Sequence, residues 1–158
     1  MKLWSFLALV GLLAGCSALP LSISIPDYES SVAANSAVIT FQKTQQTQTP
    51  PSPAKSIAIE GQVTYSQDAT LVFYASEEPP CGISGGGVYS CSFNPDKMDK
   101  IGEINLQAGV SYSFRWEGTR LTNGINKNSL YIGVSLKDSL LTGGTLQFRN
   151  LVAKVAVF

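Results

Sequence analysis

Apolar and polar residues alternate with a period of two over most of this chain, the signature of half-buried β-strands. Ile57, Ile59, Val63 and Tyr65 fall on one side, and Ser56, Ala58, Glu60, Gln62 and Thr64 on the other. Gly61 breaks that run and marks a bulge or a close backbone approach. Ser66-Gln67-Asp68-Ala69 reads as a hairpin turn into Leu71, Phe73 and Ala75, and Glu77-Glu78-Pro79-Pro80 stops that strand. Val88 to Phe93 is a short strand, and Ile101, Ile104 and Leu106 belong to another that carries one bulge. After the turn Gln107-Ala108-Gly109, Val110, Tyr112, Phe114 and Trp116 alternate strictly with Ser111, Ser113, Arg115 and Glu117, which puts the aromatic rings in the core. Leu121 to Asn128, with Asn123-Gly124 inside it, reads as a loop. Leu130, Ile132, Val134 and Leu136 then face inward, with Tyr131, Gly133, Ser135 and Lys137 outward. Gly143-Gly144 turns the chain into Leu146 and Phe148, and a last strand from Leu151 to Phe158 buries Leu151, Ala153, Val155 and Val157.

The amino-terminal part is less regular. Leu19, Leu21, Ile23 and Ile25 alternate with Pro20, Ser22, Ser24 and Pro26, and the two prolines make this an edge strand or an extended tether. Ser36 to Phe41 is another short candidate. Residues 42 to 54 are rich in Gln, Thr and Pro and hold no large apolar side chain, so they are expected to form a linker or long loop. Either residues 17 to 54 form a stalk, or the segment from Leu19 to Phe41 supplies strands to the domain at 55–158. The alternation favours the second. Beyond the first fifteen residues no window of ten or more shows a 3.6-residue period, and seven to ten strands separated by Gly, Pro and Asn turns predict an all-β fold. The expected architecture is an antiparallel two-sheet β-sandwich, jelly-roll or Ig-like.

The first sixteen residues follow a different logic. A single basic residue, Lys2, precedes an apolar run from Leu3 to Leu13 that is shorter than the roughly 20 residues a membrane-spanning helix needs. Leu13-Ala14-Gly15-Cys16 resembles the lipobox of bacterial lipoproteins. The resemblance implies a signal peptide over 1–15, a mature chain beginning at Cys16, a diacylglyceryl group on that thiol, and a lipid-anchored place in the cell envelope. Two acyl chains suffice for stable anchoring. Ser17 in place of an aspartate implies, by the enterobacterial sorting rule, the outer membrane if the cell has two. The segment from Ile104 to Phe114 is similar to a strand-turn-strand phrase of bacterial jelly-roll and Ig-like envelope domains, and it carries no site.

Three cysteines fit an oxidising compartment: with Cys16 taken by lipid, Cys81 and Cys91 form an even pair and are expected to be disulfide-bonded. The chain has no histidine, so zinc lacks ligands and the usual general base is missing. No Gly-x-Ser-x-Gly elbow occurs, and Glu77 and Glu78 sit beside two prolines, unlike paired catalysts. Gly85-Gly86-Gly87 lacks the Lys-Ser/Thr of a phosphate loop. Asn94 to Asp99 departs from the calcium-loop pattern and reads as a polar turn. No catalytic residue, metal or cofactor is expected. Formal net charge is zero, with no basic excess to attract nucleic acid or anionic lipid. The expected role is therefore contact with other envelope proteins as an accessory or structural subunit. The alternative is a module binding glycan or another small ligand through exposed tyrosines, Tyr89 near the glycine-rich loop and Tyr131 on an outward strand face.

Overall fold

The structure is a computed structural model that describes residues 21–82 and 85–156. The lipobox, Cys16, Leu19, Val157 and Phe158 lie outside the described residues. Ten strands and one helix follow in the order β1 (Leu21–Ile25), β2 (Tyr28–Val32), β3 (Ile39–Lys43), β4 (Ser56–Tyr65), β5 (Ala69–Ser76), β6 (Val88–Cys91), β7 (Asp99–Leu106), β8 (Ser111–Glu117), α1 (Thr119–Asn126), β9 (Tyr131–Leu136) and β10 (Gly144–Ala156).

The strands form two antiparallel five-stranded sheets packed face to face. One runs β1-β10-β4-β8, with β2 beside β1 on the same flank of β10, and the other runs β6-β3-β9-β5-β7. Strands consecutive in the chain mostly sit in opposite sheets: β2 to β3, β3 to β4, β4 to β5, β7 to β8 and β9 to β10 each cross the sandwich. This is jelly-roll connectivity, with β6 as an added edge strand. The turn at Ser66–Asp68 is consequently an arch between sheets and not the hairpin its composition suggests. The alternation from Leu21 to Phe41 does supply strands: β1 and β2 pair with β10, and β3 sits between β6 and β9.

Between the sheets lies one large apolar core, in which Phe73, Phe114, Trp116 and Phe148 pack as an aromatic group. Phe73 and Trp116 centroids are 4.4 Å apart, and Tyr28 stacks on Phe148 at 4.7 Å. Of the residues expected inward around β8, Phe114 and Trp116 are buried and Tyr112 is half-buried, while Val110, ahead of the strand, is exposed. The bulge expected in β7 is present where Phe73 pairs with Gly102 but Tyr74 pairs with Lys100.

Three further expectations are corrected. First, Leu146, Phe148 and then Leu151, Ala153, Val155 belong to one thirteen-residue strand, β10, and not to two. Its inward parity changes because a register shift between Arg149 and Val152 inserts an extra residue, with Asn150 at φ 54°. Gly61 makes room for it: a Cβ there would meet Leu151 Cδ2 at 2.7 Å. Second, residues 119–126 are helical, not a loop. Leu121 and Ile125, spaced i,i+4 and fully buried, close one end of the core, and Gly124 lets Leu130 approach to within 2.9 Å of where its Cβ would be. Burial of that stripe outweighs the poor helix propensity of Asn-Gly. Third, all six residues of β9 are buried, so the Tyr131, Gly133 and Ser135 face is not solvent-facing.

The polar segment after β3 is also tied down more than its composition suggests. Thr44 N donates to Leu130 O at 2.9 Å. Buried Gln46 donates through Nε2 to Ile125 O at 2.8 Å, which satisfies a carbonyl in the last turn of α1. Asn126 exchanges two hydrogen bonds with the Ala54 backbone.

Candidate functional site

The disulfide loop covers the outer face of the second sheet. Cys81 and Cys91 are bonded, with Cα atoms 5.9 Å apart. Cys91 is paired with Ile39 at one end of β3, whereas Asp99 is paired with Ala75 at the opposite end of the sheet. The chain from 92 to 98 therefore crosses back over the sheet and brings Met98 into a second small core with Ile39, Phe41, Tyr89, Cys91 and Tyr131. The hydroxyl of Ser76, 2.7 Å from the carbonyl oxygens of both Glu78 and Lys97, pins the two ends of the loop together. Arg120 of α1 ties the same loop down, donating to Asp96 O at 2.7 Å and pairing with Asp99 at 3.2 Å.

This lid decides the fate of the two tyrosines. Tyr89 and Tyr131 meet edge to face at 5.5 Å and are 9% and 6% exposed. The structure brings them together, as neighbouring β6 and β9 flank β3, but it buries them. Burial and the adjacent Tyr89 push the Tyr131 phenol above its ordinary pKa. The expectation of exposed rings is thus corrected, and the glycan alternative is left without its two contact residues. The glycine-rich tip of the loop is open, since Gly85, Gly86 and Gly87 all have positive φ and no atoms within 4 Å of an added Cβ, and Phe93 on the returning segment is 55% exposed.

The polar turn is held by structural hydrogen bonds and one committed carboxylate. Asn94 Oδ1 accepts from Asp96 N at 2.9 Å, and Asp99 is committed to Arg120. Among the described residues no three His, Cys, Asp or Glu side chains gather as a metal site would require. On the outer face of the first sheet, Arg115 pairs with Glu60 and with Glu117. That cluster borders a shallow polar depression over Gly61, lined also by Gln62, Ser113 and Asn150.

The two ends of the sandwich differ in chemistry. One end carries the turns 33–38, 66–68, 107–110 and 137–143, laced by Leu140 N to Ala34 O, Ala108 N to Asp68 Oδ1 and Gln67 Nε2 to Gly143 O. It presents Leu141 with its side chain fully in solvent and Val110 at 42% exposure. The other end carries Leu21 at the start of β1, the proline-rich segment 50–55 and the end of β10. Leu21, Pro50, Pro51, Pro53, Val155 and Ala156 there line an open apolar groove of about 360 Å³. Thirteen residues of β10 separate the ends, a span of about 40 Å at roughly 3.3 Å per residue.

Two of the four sheet edges, β7 and β8, are guarded by charge. β7 presents Lys100 and Glu103, the latter bridged to Lys100 at 2.7 Å and Lys137 at 2.6 Å. β8 presents the Arg115 and Glu117 pair. Charges on edge strands oppose pairing with another chain's strand. Among the described residues no helix is long and apolar enough to cross a membrane. No protein-family model matches the chain, and a search of curated proteins finds no match to it.

Proposed function

We propose that this protein is a lipid-anchored envelope component that acts without catalysis, by binding other envelope proteins as an accessory or structural subunit. The anchor is Cys16, on the lipobox resemblance, and the contact surface is the loop end that carries Leu141. The observation that supports the reading is the placement of the exposed apolar side chains. Of the three large apolar side chains exposed among the described residues, Leu141 and Val110 lie on turns joined to one another through Gln67 and Asp68, at the end away from Leu21, while Phe93 lies on the segment after Cys91, against Tyr74. A chain tethered near Leu21 presents that end farthest from the bilayer, toward partners in the surrounding compartment. The charged edges of β7 and β8 oppose strand addition there, which favours the loops as the mode of contact.

The test is photo-crosslinking in the native envelope with a reactive amino acid at position 141, paired with mild-detergent purification of wild type and Leu141→Asp. The reading requires a defined protein companion that crosslinks at 141 and is lost in Leu141→Asp while the melting temperature is unchanged. Recovery of the lipidated protein alone, without crosslinks at 141, contradicts it.

A further inference from the structure

The apolar groove at the Leu21 end points to a second contact, and it rests on the anchoring reading of Cys16. Five residue steps separate Cys16 from Leu21, so the chain between them reaches at most about 17 Å. Leu21 itself lines the groove, beside Pro50, Pro51 and Pro53. Whatever path the tether takes, a lipidated Cys16 holds this face of the sandwich within reach of the bilayer surface.

The charges at this end are sorted accordingly. Lys43 ends β3, Lys55 borders the groove, and Lys154 lies near the end of β10 opposite Ser22 and Ala58. Among the described residues, none of these three lysines enters an ion pair, whereas Glu60, Glu77, Glu78, Asp99 and Glu117 are each held by an arginine or lysine. The lysines are scattered in sequence, at 43, 55 and 154, and only the fold gathers them at one end. An apolar groove bordered by Lys55, with Lys154 on the adjoining end of β10 and Lys43 on the same pole of the sandwich, matches the layered chemistry of a bilayer interface, acyl and glycerol region below and phosphates above.

We infer that the groove formed by Leu21, the Pro50–Lys55 segment and the end of β10 is a membrane-docking surface. It seats on the lipid interface beside the anchor and fixes the sandwich upright, with Leu141 held away from the bilayer. The anchor alone leaves the domain free to tumble on its tether; the groove gives it an orientation.

The test uses the full, lipidated chain in vesicles of phosphatidylethanolamine and phosphatidylglycerol at three to one. Cys81 and Cys91 are bonded to each other, so Ser52→Cys or Leu141→Cys offers one free thiol for an environment-sensitive fluorophore, and both positions are exposed. Flotation reports anchoring, and quenching by brominated lipid reports docking. The label at 52 is expected to shift to the blue and lose about half its emission to brominated chains, with the label at 141 unaffected, because interfacial docking buries groups by about 5–10 Å. Lys55→Glu should reduce the quenching at 52. Flotation with a water-like label at 52 overturns the docking surface while leaving the anchor in place. Failure to float overturns the anchor and docking together. A blue shift that grows with protein concentration in the absence of vesicles assigns the groove to a second copy and overturns the inference as well.

Discussion

Reduction of the Cys81–Cys91 bond should cost this fold about 3 kcal/mol. The two residues are ten apart, and closing a loop of about eleven residues removes denatured-state entropy worth roughly 2.8 kcal/mol at room temperature in the chain-entropy model. For a domain of this size that loss corresponds to a fall in melting temperature of about 10 °C. The loop has a native-state role too, since the chain leaving Cys91 carries Met98 over Phe41 and Tyr131. Ser76 and Arg120 still hold its ends after reduction. The sandwich should therefore stay folded, with destabilisation coming mainly from the denatured chain. The assay is thermal and urea unfolding of oxidised wild type, reduced wild type and the Cys81→Ser/Cys91→Ser double variant, with free thiols counted before and after each scan. The reduced protein and the double variant should have midpoints near one another and below the oxidised protein. A midpoint that moves by less than about 2 °C, with both thiols shown to be free, refutes the reasoning: a constraint of this loop length cannot be lost at so small a cost unless the denatured state is already ordered there.

Other predictions follow from single contacts. Gly133→Ala places a Cβ 2.5 Å from the ring of fully buried Phe41, so it should destabilise by about 1–3 kcal/mol in urea titration, and equal stability would show that the ring has room to move. Tyr28→Phe removes a buried hydroxyl that, among the described residues, finds no hydrogen-bond partner while keeping the stack on Phe148. Its melting temperature should rise, and a clear fall would mean the hydroxyl is satisfied. Hydrogen bonds from Lys100 and then Lys137 lower the Glu103 pKa from 4.5 to about 2. Because the folded value is the depressed one, its stabilisation is complete above the ordinary value and is lost as pH falls from about 4.5 through about 2. Glu103→Gln should flatten the pH dependence of stability in that window, and added salt should shrink the difference because the pair is at the surface; an unchanged profile would dismiss the effect.

Much of the fold is legible in the sequence because a strand with one wet face writes its orientation as alternation. Tyr112, Phe114 and Trp116 against Ser111, Ser113 and Arg115 need no further information, and the paired cysteines follow from parity and compartment. What the pattern misses is set by contacts remote in sequence. Alternation that slips phase between Phe148 and Leu151 is compatible with two strands or with one bulged strand, and only the pairing of β10 with β4 across Gly61 distinguishes them. Tyr131 reads as outward, correctly, since it points away from the main core. Nothing local reveals that the segment after Cys91 returns across that face and buries it. The helix α1 was within reach: Leu121 and Ile125 are spaced i,i+4, but two apolar positions in eight residues are outvoted by Asn123-Gly124. Gln46 likewise has no apolar signature, and its burial depends on a helix carbonyl supplied from residue 125.

The sites divide in the same way. Lys43, Lys55 and Lys154 are invisible as a group until β3, the segment before β4 and β10 end at one pole of the sandwich, which is why net charge alone argues against lipid contact. Leu141 stands out in the sequence only as one leucine among many, and its meaning comes from its full exposure at the opposite pole.

The claim on which orientation, docking and partner contact all depend is the lipid on Cys16. Intact-mass and amino-terminal peptide analysis of the protein from its native membranes, beside a Cys16→Ala variant, tests it most directly. The account predicts a mature chain that starts at Cys16 with the added mass of a diacylglyceryl group, and a variant that is misprocessed or leaves the membrane fraction. An unmodified cysteine, or a Cys16→Ala protein cleaved normally and still wholly in the membrane fraction, contradicts it.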